Sequence, residues 1–324
     1  MDLSKRLKEL TRLILPRRLW VFLRGRRDDF IFGVRRLFEL SGYNVSRRQD
    51  GYSPLPVVSE LARTAPRWNR PSELPGLRYD LEAIEATLAG LLDQHQDEFR
   101  RHPSPADVKA RGFGPGFPAL DALTLYSMIR EYKPAHYLEV GSGVSTYYCH
   151  LAAAENEREG RPTRITCIEP NPYEKLRTLP WIELWEKQVQ DVPITRFEAL
   201  RANDVLFIDS SHILRIDGDV PYLFLEALPR LAPGVLVHVH DVPFPFNVPH
   251  PAERWVLEPC WPMFWNEAMI LQAFLAYNES FEILVSTPLV RHFDEEFLKK
   301  RVLHYETVAE NPDTFSSIWL RKVR

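Results

Sequence analysis

The stretch His136-Tyr-Leu-Glu-Val-Gly-Ser-Gly-Val-Ser-Thr-Tyr-Tyr-Cys-His-Leu-Ala-Ala-Ala154 decides how the chain is read. An apolar run reaches Glu139, turns at Gly141-Ser142-Gly143 and continues at once in a helix-compatible segment. A strand entering a helix through Gly-x-Gly belongs to α/β architecture. Gly141 and Gly143 let the backbone turn tightly and approach a ligand with no Cβ in the way. A full dinucleotide fingerprint would place Gly or Ala at position 146, where this chain has Thr146. Glu139 also argues against a pyrophosphate, because a carboxylate at that tip repels it and attracts a cationic ligand.

Working outward from this junction, short apolar runs recur at 136–140, 165–169, 182–186, 204–209, 235–241, 281–286 and 317–323. Helical patterns separate the first five, with a short link between the second and third. That alternation predicts a mostly parallel, Rossmann-like seven-stranded sheet with helices on both faces. The second run ends in Glu169, 28 residues after Gly141, where an acid is positioned to hydrogen-bond ribose hydroxyls. Upstream, Asp80 is a candidate N-cap for a helix with Leu81, Ile84, Leu88 and Leu91 on one face. A second helix is expected over about 119–132, after the loop Gly-Phe-Gly-Pro-Gly-Phe-Pro at 112–118. The expected division is a helical and irregular N-terminal extension over 1–117 and the α/β domain over 118–324.

The chain has 324 residues, 45% hydrophobic and 26% charged, as an ordinary globular protein does. Its net charge of −3 gives no general affinity for nucleic acid. The first 48 residues are different, with 13 Lys/Arg against 5 Asp/Glu among Leu, Phe and Trp. Two readings apply: peripheral contact with an anionic membrane, or helices packed on their own chain with a solvated arginine face. Three scattered cysteines and no membrane-length apolar run or signal-peptide pattern point to the cytoplasm.

Four motifs, Leu138–Thr146, Cys167–Pro172, Val205–His212 and Leu228–Asp241, occur in the order and spacing of class I S-adenosylmethionine-dependent methyltransferases. The resemblance covers about 118–324. It implies that the last strand is antiparallel and that Glu139, Gly141, Ser142, Gly143, Ser145 and Thr146 hold the methionine part of S-adenosylmethionine. Glu169 would hold the ribose, and Gln190 and Asp191 are candidates for the adenine.

Methyl transfer from a sulfonium is an in-line displacement, so positioning the acceptor supplies much of the catalysis. A hydroxyl acceptor must also lose a proton, to a base or with help from a metal. Asp209 and His212 lie three apart on the turn leaving the fourth strand, and His240-Asp241 ends the fifth. Adjacent strands are expected to bring all four into one crevice. The set resembles the metal-dependent sugar O-methyltransferases of the macrocin type. That resemblance implies His212 as base and Asp209 and Asp241 as catalytic carboxylates, with Asp209 also beside the cofactor. Asp209, His240 and Asp241 are the candidate metal ligands, for magnesium or manganese. His240 stands where that family has a carboxylate, which points to a softer metal or to none.

Between the fifth and sixth strands lies an aromatic insertion with Phe244, Phe246, Trp255, Trp261, Phe264 and Trp265. It suits either an acceptor-binding lid or a set of rings buried against helices. The expected activity is O-methylation of a sugar, glycan or glycosylated small molecule. The alternatives are a nicotinamide-dependent oxidoreductase and a non-catalytic scaffold subunit.

Overall fold

The computed structural model describes residues 17–45, 53–306 and 316–324. Seven strands form one sheet: β1 (His136–Val140), β2 (Arg164–Ile168), β3 (Ile182–Trp185), β4 (Val205–Ile208), β5 (Leu236–Val239), β6 (Phe281–Ser286) and β7 (Ile318–Lys322). Their order is β3-β2-β1-β4-β5-β7-β6. β1 to β5 run parallel, and β7 lies between β5 and β6, antiparallel to both. All seven predicted runs are strands, with ends differing by one or two residues.

Period-two side-chain alternation divides the core between the faces of the sheet. Tyr137, Val205 and Phe207 join one cluster with the helices Leu81–Phe99, Ala119–Tyr132 and Val144–Arg158. Leu138, Val140, Leu206 and Ile208 join the other, with Phe197, Phe224 and Leu271. The crossovers at the β3 edge are slight. A short 3₁₀ turn, Glu174–Thr178, links β2 to β3, and the helix Thr195–Glu198 lies between β3 and β4. The helix predicted after Asp80 is present, and the Asp80 carboxylate accepts the Ala83 N–H at 3.1 Å.

The boundary expected at 117/118 differs from the compact division of the chain, which falls between Arg63 and Thr64. The reason is burial: Ile84, Leu88, Leu92 and Val108 belong to the core of the sheet rather than to an extension. Arg130 fixes three of the covering helices to one another. Its guanidinium donates to Glu98 at 2.7 Å and Glu159 at 2.6 Å, and also to Asn156. A buried charge is tolerable only when partnered in this way.

In the N-terminal unit, Arg17–Leu40 is a 24-residue helix on which Phe30, Leu37 and Leu40 are exposed. The expectations for residues 1–16 and 46–48 lie outside the described residues. No helix among the described residues is long and apolar enough to cross a membrane.

Candidate active site

The strand register assembles the site. β1 pairs Val140 with Ile168 on one side and Ile208 on the other, and β4 pairs Ile208 with Val239. The next residue of each strand therefore lies in a row along the carboxyl edge: Glu169, Gly141, Asp209 and His240. Backbone bonds extend the ladder to this row, from Gly141 N to Ile168 O, Asp209 N to Val140 O and His240 N to Ile208 O, all within 2.9–3.0 Å. Ligands of open α/β sheets bind at this edge.

The glycine turn is required by the sheet itself. Gly141 has φ +89°, and a Cβ there would lie 2.1 Å from the Asp209 carbonyl oxygen. Glu139 is fully buried beneath the turn rather than exposed at its tip. Ser145 Oγ donates to it at 2.5 Å and Thr146 Oγ1 at 2.8 Å, while Thr146 Oγ1 also accepts the Gly143 N–H at 3.0 Å. These three side chains therefore shape the loop from within. Burial pushes the Glu139 carboxyl up to about 8, against the opposing hydroxyl hydrogen bonds.

Glu169 is half-buried at the end of β2, and one carboxylate oxygen accepts the Asn171 N–H at 2.8 Å. Gln190 donates to the Asp217 carbonyl at 3.1 Å, tying the loop after β3 to the loop after β4. Asp191 is exposed.

On the other half of the edge, the four polar residues converge. His212 Nε2 lies 3.4 Å from Asp209 and 3.5 Å from Asp241. His240 Nδ1 lies 3.5 Å from each of the same two carboxylates. His212 and Asp241 both have left-handed backbone, at φ 59° and 57°. Such conformations cost energy in non-glycine residues and gather at functional sites.

Each imidazole is backed by a carboxylate from a helix distant in sequence. Glu267, buried on the helix Glu267–Leu275, meets His212 Nδ1 at 2.7 Å. Asp121, buried on the helix Ala119–Tyr132, meets His240 Nε2 at 3.2 Å. Neither carboxylate stands out in the sequence, because neither lies in a motif with the residue it serves. Burial alone would lower both histidines, but the carboxylates outweigh it and hold each well above the ordinary histidine value. Burial would raise Asp209, yet the two imidazoles hold it well below the usual carboxylate range. His238 differs from both: its side chain points into the core, bonded to Ser317 at 2.8 Å and stacked on Trp319, and burial lowers its pKa.

The aromatic insertion is buried in part and exposed in part. Phe244 is buried, while Trp261 is 72% exposed. Trp265 packs on the His212 ring at 4.3 Å. The insertion also grips the His212 loop through its backbone: Asn266 and Glu267 N–H groups donate to the His212 carbonyl, and Leu214 N donates to Asn266 Oδ1. His212, Asp241, Asn247 and Trp265 line the same cleft.

Residues 138–242, the segment that builds this edge, match a family model described as a methyltransferase domain. Over that segment the chain is similar to a methyltransferase domain. An uncharacterized protein of Archaeoglobus fulgidus is 29% identical over 166 residues, 47% of this chain and 72% of its own length. Among solved structures, the O-methyltransferase TomG of Streptomyces achromogenes, in complex with SAM, is 15% identical. That match has a TM-score of 0.40 and covers 76% of this chain and 92% of TomG. The SAH-bound methyltransferase PaMTH1 of Podospora anserina is 16% identical, with a TM-score of 0.38, and the match covers 83% and 98% of the two chains. Within the matched methyltransferase segment lie Glu139, the glycine turn, Glu169, Asp209, His212, His240 and Asp241. Asp121 and Glu267 lie outside it.

Proposed function

We propose that the chain is an S-adenosylmethionine-dependent O-methyltransferase. Its acceptor is a hydroxyl of a sugar, glycan or glycosylated small molecule, and His212 is the general base. The observation that carries this reading is the row Glu169–Gly141–Asp209–His240 along one sheet edge, with a carboxylate-backed imidazole facing it. The residues fit the cofactor. Gly141 and Gly143 leave the turn free of side chains, and Glu169 keeps one oxygen beyond its bond to Asn171 for a ribose hydroxyl.

S-adenosylmethionine, when bound, supplies an electrophilic methyl group on a sulfonium. The protein's task is then to align a hydroxyl and remove its proton. His212 Nε2 faces the cleft and takes that proton. Glu267 holds Nδ1–H, fixes the tautomer and stabilises the imidazolium that forms. A cationic ligand beside Asp209 works against the proton that the surrounding carboxylates favour on His212, and so readies the ring as a base. Trp265 keeps the imidazole plane in place, and the exposed Trp261 offers an apolar face of the kind that packs on sugar rings.

The test is direct. Titration calorimetry of the full chain with S-adenosylmethionine, its demethylated product and a nicotinamide dinucleotide should give heat only with the first two. Methyl-labelled cofactor with nucleotide sugars, glycosides and simple phenols then identifies the acceptor. Binding of the nicotinamide dinucleotide alone would move the chain to the oxidoreductases. Label transferred only to phenols would overturn the sugar reading and leave the reaction class standing.

A further inference from the structure

We infer that Asn247 and Glu267 form a subsite for a protonated amino group, so that the acceptor carries an ammonium close to the hydroxyl it presents to His212. The inference rests on the reading above, whose acceptor it narrows to amino-bearing compounds, and it is tested by binding as well as by turnover.

Asn247 Oδ1 and Glu267 Oε1 are both buried and have no hydrogen-bond partner among the described residues. Both residues line the cleft beside His212 and Asp241. Glu267 is 1% exposed, and its other oxygen is the one that meets His212 Nδ1 at 2.7 Å. Asn247 is held by its amide nitrogen, which donates to Gln272 Oε1 at 2.7 Å. Gln272 and Glu267 belong to one helix, Glu267–Leu275, so a single element sets both oxygens. Buried acceptors are nearly always satisfied, and two bare ones on one cleft mark where a donor binds.

The walls select the kind of donor. Asp241 adds a carboxylate, while Pro243, Val248, Pro249 and Ala268 offer no side-chain donor. A hydroxyl has one proton to give, whereas an ammonium has three and accepts none. The ammonium can therefore serve Asn247, Glu267 and Asp241 together. Charge points the same way. Two carboxylates, Asp241 and Glu267, face the single imidazole of His212, so the walls stay negative whichever form that imidazole takes. A cation taken out of water needs partners of this kind.

Size narrows the group further. The cavity is about 10 Å³, room for one water-sized group. An ammonium head fits that space, and an acetamido or guanidinium group does not. A site built around buried polar atoms rejects analogues that leave those atoms unpaired, so the subsite acts on specificity.

The experiment measures binding to the full chain by calorimetry, in excess demethylated cofactor, for pairs matched as amine and hydroxyl. The pairs are glucosamine and glucose, galactosamine and galactose, and tyramine and tyrosol. In at least one pair the amine should bind about 10- to 100-fold more tightly, the usual worth of hydrogen bonds to a charged group. N-acetylation of that amine should remove the gain. Asn247→Leu, close in size, takes away one oxygen and should erase most of the margin. Asn247→Asp keeps an acceptor and should hold or widen it, which keeps the test open if Asn247→Leu fails to fold. Equal affinity within every pair, an equal gain for the acetylated amine, a margin unchanged in Asn247→Leu, or no binding by any amine would each overturn the inference. Labelled methyl transfer to the same compounds reads the reaction separately. Transfer without amine preference removes the subsite and keeps the reaction, whereas selective amine binding without transfer keeps the subsite and removes the reaction.

Discussion

The two halves of the carboxyl edge are held in opposite ways. Around the glycine turn, polar groups are satisfied within a few residues: Glu139 by Ser145 and Thr146, Gly143 N by Thr146, and Glu169 by Asn171 N. Around the His212–His240 cleft, both imidazoles depend on carboxylates far away in the chain, Glu267 for His212 and Asp121 for His240. A ligand site made of backbone can be encoded locally. A proton-transfer site needs a second layer, and a second layer has to come from neighbouring helices.

The contrast is open to test, and the largest effect should come from the catalytic half. His212→Ala should lower turnover by about 10² to 10⁴, the usual contribution of a general base, with cofactor affinity almost unchanged. Retained turnover in steady-state assays would move the proton to another group. Glu267→Gln should cost less, about 10- to 100-fold, by analogy with other supports of functional histidines. Its more specific signature is in the pH profile. Glu267 holds the His212 pKa up, so its removal lets that pKa fall and moves the acid limb of the rate profile to lower pH. A lower rate with the limb in place would make Glu267 merely structural.

The cofactor half should respond in binding rather than in rate. Glu169→Ala removes one charged hydrogen bond, worth about 1.5 kcal/mol, and should weaken S-adenosylmethionine binding by roughly tenfold. Equal affinity by calorimetry would take the ribose away from Glu169. The last effect, on stability rather than binding or rate, concerns Glu139. Its pKa rises from 4.5 to about 8 in the fold, so the protonated form stabilises the native state. That stabilisation is complete below about 4.5 and is lost as pH rises to about 8, with a slope of at most about 1.4 kcal/mol per pH unit. Glu139→Gln should flatten this slope in denaturant titrations between pH 5 and 8; a slope identical to that of the unaltered chain would exclude Glu139 as its source.

Legibility in the sequence follows the same contrast. The strand–Gly-x-Gly–helix junction, the seven apolar runs and the acid after β2 are all local patterns, and each falls where expected. Asp209, His212, His240 and Asp241 were expected to meet because their strands were expected to be neighbours, and register brings them together. Asp121 and Glu267 were not foreseeable. An acid inside a helix looks like an ordinary surface residue until tertiary packing buries it, and no spacing rule connects position 121 to 240 or 267 to 212. The compact division of the chain falls earlier than the expected boundary for a related reason. The glycine-rich loop at 112–118 looks like a boundary, whereas the helix Leu81–Phe99 before it buries its apolar face in the core of the sheet. Glu139 illustrates a subtler limit, since its position was legible but its inward orientation was not.

The glycine-rich loop before Pro118 touches both halves. The Phe113 carbonyl lies 3.2 Å from where a Gly143 Cβ would be, and a Cβ on Gly114 would lie 3.3 Å from the Gly143 Cα. Three residues later, Phe117 is stacked on His240. In evolutionary terms this loop is a hinge of constraint. Positions 114 and 143 should change together among relatives, as should 117 and 240, so a lineage that trades the imidazole for another side chain should also have to replace the ring that holds it.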